Sequence, residues 1–149
     1  MKFLVAVDGS DASDDALAYA TDIADAMDAQ ITAVHAVNPA VFEEAGTDPI
    51  ESFAEADRSL IMQSVEDAEE RGLDILAEAE KFAADLGTTI EMELLHGPPV
   101  RAITDYAEDA EFDAIFVGHR GRSEHRELML GSVAKDLVTR ATVPVTVVR

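Results

Sequence analysis

The chain has 149 residues, 48% of them hydrophobic and 28% charged, with a formal net charge of −20 and no cysteine. That length suits a single domain over 1–149 that buries roughly two-thirds of the surface its unfolded chain exposes, and the apolar share excludes a disordered acidic tail. Without cysteine there is no disulfide, thiolate metal site or catalytic thiol, and no apolar run approaches the ~20 residues of a membrane span; a soluble, cytoplasmic protein is expected.

The first predicted element is the apolar run 3–7, closed by Asp8. After Ser13, the residues Ala16, Leu17, Ala20, Ile23, Ala24 and Met27 recur at helical spacing, with Asp14 and Asp15 near the positive end of the helix dipole. A second apolar run, 31–37, leads into a long connection at 38–47, read as mobile. A longer helical pattern follows through Val65, Ala68, Ile75, Leu76, Ala79, Phe82, Ala83 and Leu86, with Gly87 as its stop. Gly72 inside it costs about 1 kcal/mol relative to alanine and marks a candidate break. The third run is 90–95; Pro98 and Pro99, good first-turn residues, then open a helix carrying Val100, Ile103 and Ala107. Run 114–117 precedes a glycine-bearing loop. Gly131 and Ser132 open the last helix, through Val133, Ala134, Leu137 and Val138, and Pro144 and run 143–148 follow.

The runs are rich in Val, Ile and Leu and mostly unbroken, as strands covered on both faces of a parallel sheet read. Their alternation with helices predicts a doubly wound α/β fold, a three-layer α/β/α sandwich around a five-stranded parallel sheet. Ligands of such sheets bind beyond the carboxyl ends of the strands, where strand order reverses. That directs attention to the segments after Asp8, Ala36, His96 and Gly118.

The charge is unevenly placed. Residues 1–117 hold 28 acidic and 5 basic residues, whereas 118–149 hold 3 acidic and 6 basic ones, with Arg120, Arg122 and Arg126 close together. The acidic majority repels nucleic acid and anionic membrane, so neither is an expected partner, while an anionic ligand is best received after 118. With 16 Asp and 15 Glu against 3 Lys, the surface also fits molar intracellular salt, where the Debye length shrinks to ~3 Å.

No Walker-type phosphate loop, dinucleotide fingerprint or G-x-S-x-G elbow occurs, and the four histidines lack zinc-like spacing. His35 reads as a core or rim histidine. What stands out is Gly118-His119-Arg120-Gly121, nine residues, then Gly131-Ser132 opening a helix. Glycine at 118 allows close backbone approach, Gly121 permits a turn with positive φ, and a helix start offers N–H donors to an anion. Together they form a candidate cradle for a polyphosphate.

This spacing matches the ATP-binding pattern of the universal stress protein (UspA-like) family, and the resemblance extends over nearly the whole chain. Leu4 to Ser10 with Ser13, Ala16, Leu17 and Ala20 is similar to that family's first strand and helix. Val34 to Val37, His96-Gly97-Pro98, Asp113 to Gly118 and Pro144 to Arg149 resemble its later strands and turns. The resemblance implies the adenine nucleotide alpha hydrolase-like, Rossmann-like fold. It implies that Asp8, with Ala6 nearby, holds ribose or phosphate and that the backbone at Ala36 meets adenine. Gly118, His119, Arg120, Gly121 and Arg122 would wrap ribose and phosphates, and Gly131, Ser132 and Val133 the phosphate chain. A magnesium or manganese ion would be held mainly through phosphate oxygens. Ala36 is smaller than the family's frequent aliphatic, and His119 adds a side chain that many members lack.

The expected function is an ATP-binding, stress-response regulator, in which ATP or another adenine nucleotide governs a homodimer or partner surface. The alternatives are a slow ATPase or phosphotransfer enzyme, and a dimeric interaction module that needs no nucleotide. A receiver domain fits less well, since receivers cluster acids beside the position of Asp8 and use a lysine after the last strand. For catalysis there is no Walker lysine and no evident base for water, so no catalytic residue is assigned. The last strand, apolar and with nothing after it to cover an edge, is the expected dimer contact.

Overall fold

The computed structural model describes residues 1–39, 54–121 and 130–149, with residues 54–61 described for their backbone alone. Strands and helices alternate along them: β1 (Lys2–Ala6), α1 (Asp11–Met27), β2 (Gln30–Val37), α2 (Ala54–Asp85), β3 (Glu91–His96), α3 (Pro99–Asp109), β4 (Ala114–Gly118), α4 (Ser132–Arg140) and β5 (Val145–Val148). The strands make one parallel sheet in the order β3-β2-β1-β4-β5. The expected connection 38–47 lies, beyond Pro39, outside the described residues.

Side chains alternate across a strand, so each strand supplies both layers. Phe3, Val5, Val7, Ile31, Ala33 and Phe116 face one way, under Ala16, Leu17 and Ala20 of α1 and Leu76, Ala79 and Ala83 of α2. Leu4, Val34, Ile115 and Val117 face the other way, under Ile103 and Ala107 of α3 and Ala134 and Leu137 of α4. With helices on both faces, no strand position of β1 needs to be polar, and its Phe3-Leu4-Val5 run is wholly buried. The three-layer sandwich read from the sequence is the fold observed.

Two local expectations are corrected. α1 starts earlier than Ser13: Ser10 is its N-cap, with its Oγ accepting from the Ser13 N–H at 3.2 Å. Gly9, at φ 80°, turns the chain sharply after Asp8, and the helix begins at Asp11. Ser13 is instead buried in the first turn and donates its Oγ–H to Ser10 O at 3.0 Å.

Nor does α2 break at Gly72. A Cβ there would stand 2.8 Å from Leu94 Cδ1 and 3.0 Å from His35 Cδ2, so the bare glycine lets the helix lie close on β2 and β3. The intimate packing of a 32-residue helix outweighs a propensity deficit of about 1 kcal/mol. Its stop is as expected: Gly87 takes φ 84°, and Thr88 N–H closes on Ala83 O at 2.9 Å.

The sheet's two edges differ in chemistry. β3 exposes Glu91, Met92 and Glu93. β5 is uncharged and half-buried along its length, with Val145 and Val147 packed toward the α3–α4 layer and Val148 toward the α1–α2 layer.

Candidate functional site

From β1 the chain steps through β2 to β3 on one side, then crosses back to β4 and β5 on the other. The strands on either side of that reversal, β1 and β4, diverge at their carboxyl ends and leave a crevice. A cavity of about 290 Å³ lies there, close to the lower end of small-molecule pockets.

Ala6, Val7 and Asp8 enter it from the end of β1, Val34, His35 and Ala36 from β2, and Val117 and Gly118 from β4. Arg120 and Gly121 follow, and Gly131, Ser132, Val133 and Ala134 supply the start of α4. The fold thus gathers Ala6, Asp8, Ala36, Gly118, Arg120, Gly121, Gly131, Ser132 and Val133 around one space. Arg122, with Arg126 and most of the intervening loop, lies outside the described residues.

Sequence reasoning missed the remaining wall: Val7, Ser13, Val34, His35, Pro99, Ile103, Val117 and Ala134. Most read as core because burial and pocket lining draw on the same apolar residues. The alternation of Val34 and Ala36 on one strand face was the available signal. His35, expected at the core or rim, is half-buried at the rim, where its Nδ1–H donates to Val7 O at 2.8 Å.

Asp8 is firmly oriented. Its Oδ1 accepts from the Ser10 N–H at 2.9 Å and from the Ser10 hydroxyl, while its own N–H donates to Ser13 Oγ at 3.3 Å. One turn along α1, the Asp14 carboxyl is pushed above the usual range. Burial is the main cause, followed by repulsion from Asp11, Asp15, Glu78 and Asp8.

The glycines act differently from expectation. A Cβ on Gly118 would lie 2.7 Å from the backbone C and O of Ala12, so the close approach it permits is that of α1 to β4. Gly121 does not take a positive φ; a Cβ there would come to 3.2 Å from Asp8 Oδ2. Gly131 does not offer its own N–H to the cavity, because that group donates to His119 O at 2.6 Å.

α4 nevertheless begins as an anion-binding helix should. Its N-cap is Gly131, which makes no side-chain cap bond, whereas α1 is capped by Ser10. The first-turn N–H groups of a helix have no partner within it, and a Ser or Asp cap would take one of them. At α4 those donors belong to residues that line the cavity, with the partial positive charge of the helix end behind them. His119 does not line the cavity. Its N–H donates to Val148 O at 2.9 Å and its Nδ1–H reaches the same oxygen at 3.3 Å.

Among the described residues no group of three or more His, Asp or Glu side chains is placed to hold a metal ion, and no helix is long and apolar enough to cross a membrane.

Known proteins are similar to this chain in sequence and fold. Universal stress protein YxiE of Bacillus subtilis is 33% identical over 148 residues, covering 99% of this chain and 98% of that protein. The structure of universal stress protein UspA from Lactobacillus plantarum superposes with a TM-score of 0.79 at 25% identity, covering 100% of this chain and 97% of that one. A universal stress protein solved in complex with cAMP superposes at 0.70 with 26% identity, covering 100% and 97%. The architecture is therefore the Rossmann-like, adenine nucleotide alpha hydrolase-like fold of the UspA structures. The model of the universal stress protein family matches residues 1–149, and the chain belongs to that family.

Proposed function

We propose that this protein binds an adenine nucleotide in the cavity between β1 and β4 and works as a nucleotide-dependent stress-response regulator. The observation that carries the reading is the pairing of an apolar cavity at the strand reversal with the start of α4, Gly131 to Ala134, in its wall. A base needs apolar walls, and Val34, Ala36, Pro99 and Ile103 provide them. A phosphate needs N–H donors and positive charge, and the first turn of α4 and Arg120 provide those. The bound cAMP of a relative 26% identical to this chain supports an adenine nucleotide over other anions.

ATP is the proposed ligand, with AMP as the smaller member of its class. Asp8 suits a ligand-orienting role, since Ser10 already holds its Oδ1. A magnesium or manganese ion would be held by phosphate oxygens, with Asp8 the one carboxylate among the described residues that line the cavity. Small molecules released from the purified protein and identified by mass spectrometry test the reading, and an intact adenine nucleotide is expected. Recovery as the diphosphate would favour a hydrolysing enzyme, and failure of any adenine nucleotide to bind would favour a nucleotide-independent interaction module.

The proposed working unit is a homodimer joined along β5. This edge carries no charge and half-exposes Val145, Val147 and Val148, and Tyr19 and Val138 lie exposed on the flanking helices. Light scattering at micromolar concentration in high salt is expected to give twice the monomer mass; a monomer-sized particle refutes the dimer.

High salt is proposed as the native condition. The net charge of −20 repels itself at low ionic strength. Tm is expected to rise with KCl from 0.1 M to about 2 M as the Debye length falls toward ~3 Å. A flat or falling Tm removes the high-salt reading and leaves the nucleotide reading intact.

A further inference from the structure

His119 stands between two features that the fold otherwise keeps apart. On one side is the end of β5, whose register places Val148 opposite Gly118. Two donors of His119, its N–H at 2.9 Å and its Nδ1–H at 3.3 Å, converge on the single carbonyl oxygen of Val148. A carbonyl has two lone pairs and accepts both. Because it can only accept, the neutral ring must carry its proton on Nδ1. On the other side, the carbonyl of His119 accepts the Gly131 N–H at 2.6 Å, and Gly131 is the N-cap of α4. One half-buried residue thus clamps the free edge strand and the start of the helix on the cavity rim.

We propose that His119 is a positioning residue that couples nucleotide binding to dimer formation. The link rests on the proposed nucleotide site and the proposed β5 contact. An edge strand that pairs on one side only loses order at its end more readily than one that pairs on both. In the monomer, the end of β5 can fray and release His119, and with it the N-cap of α4. When a second copy pairs with β5, Val148 is held, His119 is held through its two donors, and the first-turn N–H groups of α4 are fixed before any phosphate arrives. A nucleotide binding to the dimer then orders less chain than one binding to the monomer. Linkage makes the effect reciprocal: each nucleotide bound tightens the dimer by the factor by which dimerisation tightens that nucleotide, and the two sites of a saturated dimer multiply to its square.

The test is sedimentation equilibrium in 2 M KCl, with and without saturating AMP, on the wild type and three variants. AMP is expected to tighten the wild-type dimer by about fivefold or more, the low end of ordinary coupling. In His119→Ala, which loses the Nδ1–H donor but keeps the main-chain bonds to Val148 and Gly131, that factor should fall by at least half. His119→Asn should recover most of it, because an asparagine amide nitrogen sits where the ring carries Nδ1. His96→Ala, whose ring bonds Glu69 at 3.0 Å on the far side of the sheet, should keep the wild-type factor. A wild type that dimerises and binds AMP with a factor of one overturns the link and leaves the nucleotide reading standing. A full factor in a folded His119→Ala protein, or equal loss in His119→Asn and His119→Ala, overturns the assignment to the His119 donor. A wild type that binds no AMP, or forms no dimer, refutes the underlying reading, and the link falls with it.

Discussion

Gly131→Val is expected to abolish adenine nucleotide binding while leaving a folded protein. Gly131 has φ −62° and ψ 154°, extended values that valine adopts without strain, so the backbone does not object. It is buried, however, on the rim of the cavity and one residue before the first turn of α4. A β-branched side chain there takes space that a phosphate needs in order to reach the helix donors. Ser132→Ala should be milder, weakening ATP by about 1.5–3 kcal/mol, the range for a hydrogen bond to a charged group. Gly87→Ala is the control. It forces a side chain onto a φ of 84°, which lowers stability by about 1 kcal/mol, yet it sits at the end of α2 and should leave affinity unchanged. Calorimetry in high salt is the measurement, and adenosine should bind far more weakly than ATP. A folded Gly131→Val protein that binds ATP like the wild type would reduce the glycine pattern to scaffold.

Gly118→Val is expected to act on the fold first. Its Cβ would collide with backbone atoms of Ala12 at 2.7 Å, and backbone cannot rotate aside as a side-chain tip can. α1 must lift from β4, at a cost of about 3 kcal/mol or more, the upper part of the range for overpacking. The urea midpoint should drop accordingly, with or without nucleotide. A variant of wild-type stability that has lost only its affinity would instead mean that the glycine serves the ligand.

These two glycines show what a linear pattern can and cannot carry. The strands, the helices and the cavity's address were legible because both faces of the sheet are covered, which leaves unbroken apolar runs, and because strand reversal fixes where ligands go. The gathering of Ala6, Asp8, Ala36, Gly118, Arg120, Gly121, Gly131, Ser132 and Val133 was legible through family resemblance. The purpose of each glycine was not. Gly118 answers to Ala12, 106 positions away in the chain, and Gly72 answers to Leu94 and His35. Such reasons exist only after packing. The start of α1 was placed too late for a local cause: its first turn, Asp11 to Ser13, precedes the first residues that show the helical period, and the cap is Ser10. Ile103 and Pro99 were missed as cavity wall because nothing in an apolar residue distinguishes facing a ligand from facing a core.

The unlike edges of the sheet set a limit on growth. A strand edge is adhesive in itself, and a chain with two such edges can add copies without end, as fibrils do. Here β5 presents valines, whereas β3 presents Glu91 and Glu93 to any approaching strand. Two copies joined along β5 would leave only their β3 edges outward, and those carry like charge. If the proposed β5 contact forms, association through the sheet would therefore close at two molecules, because the β3 edges left outside repel one another.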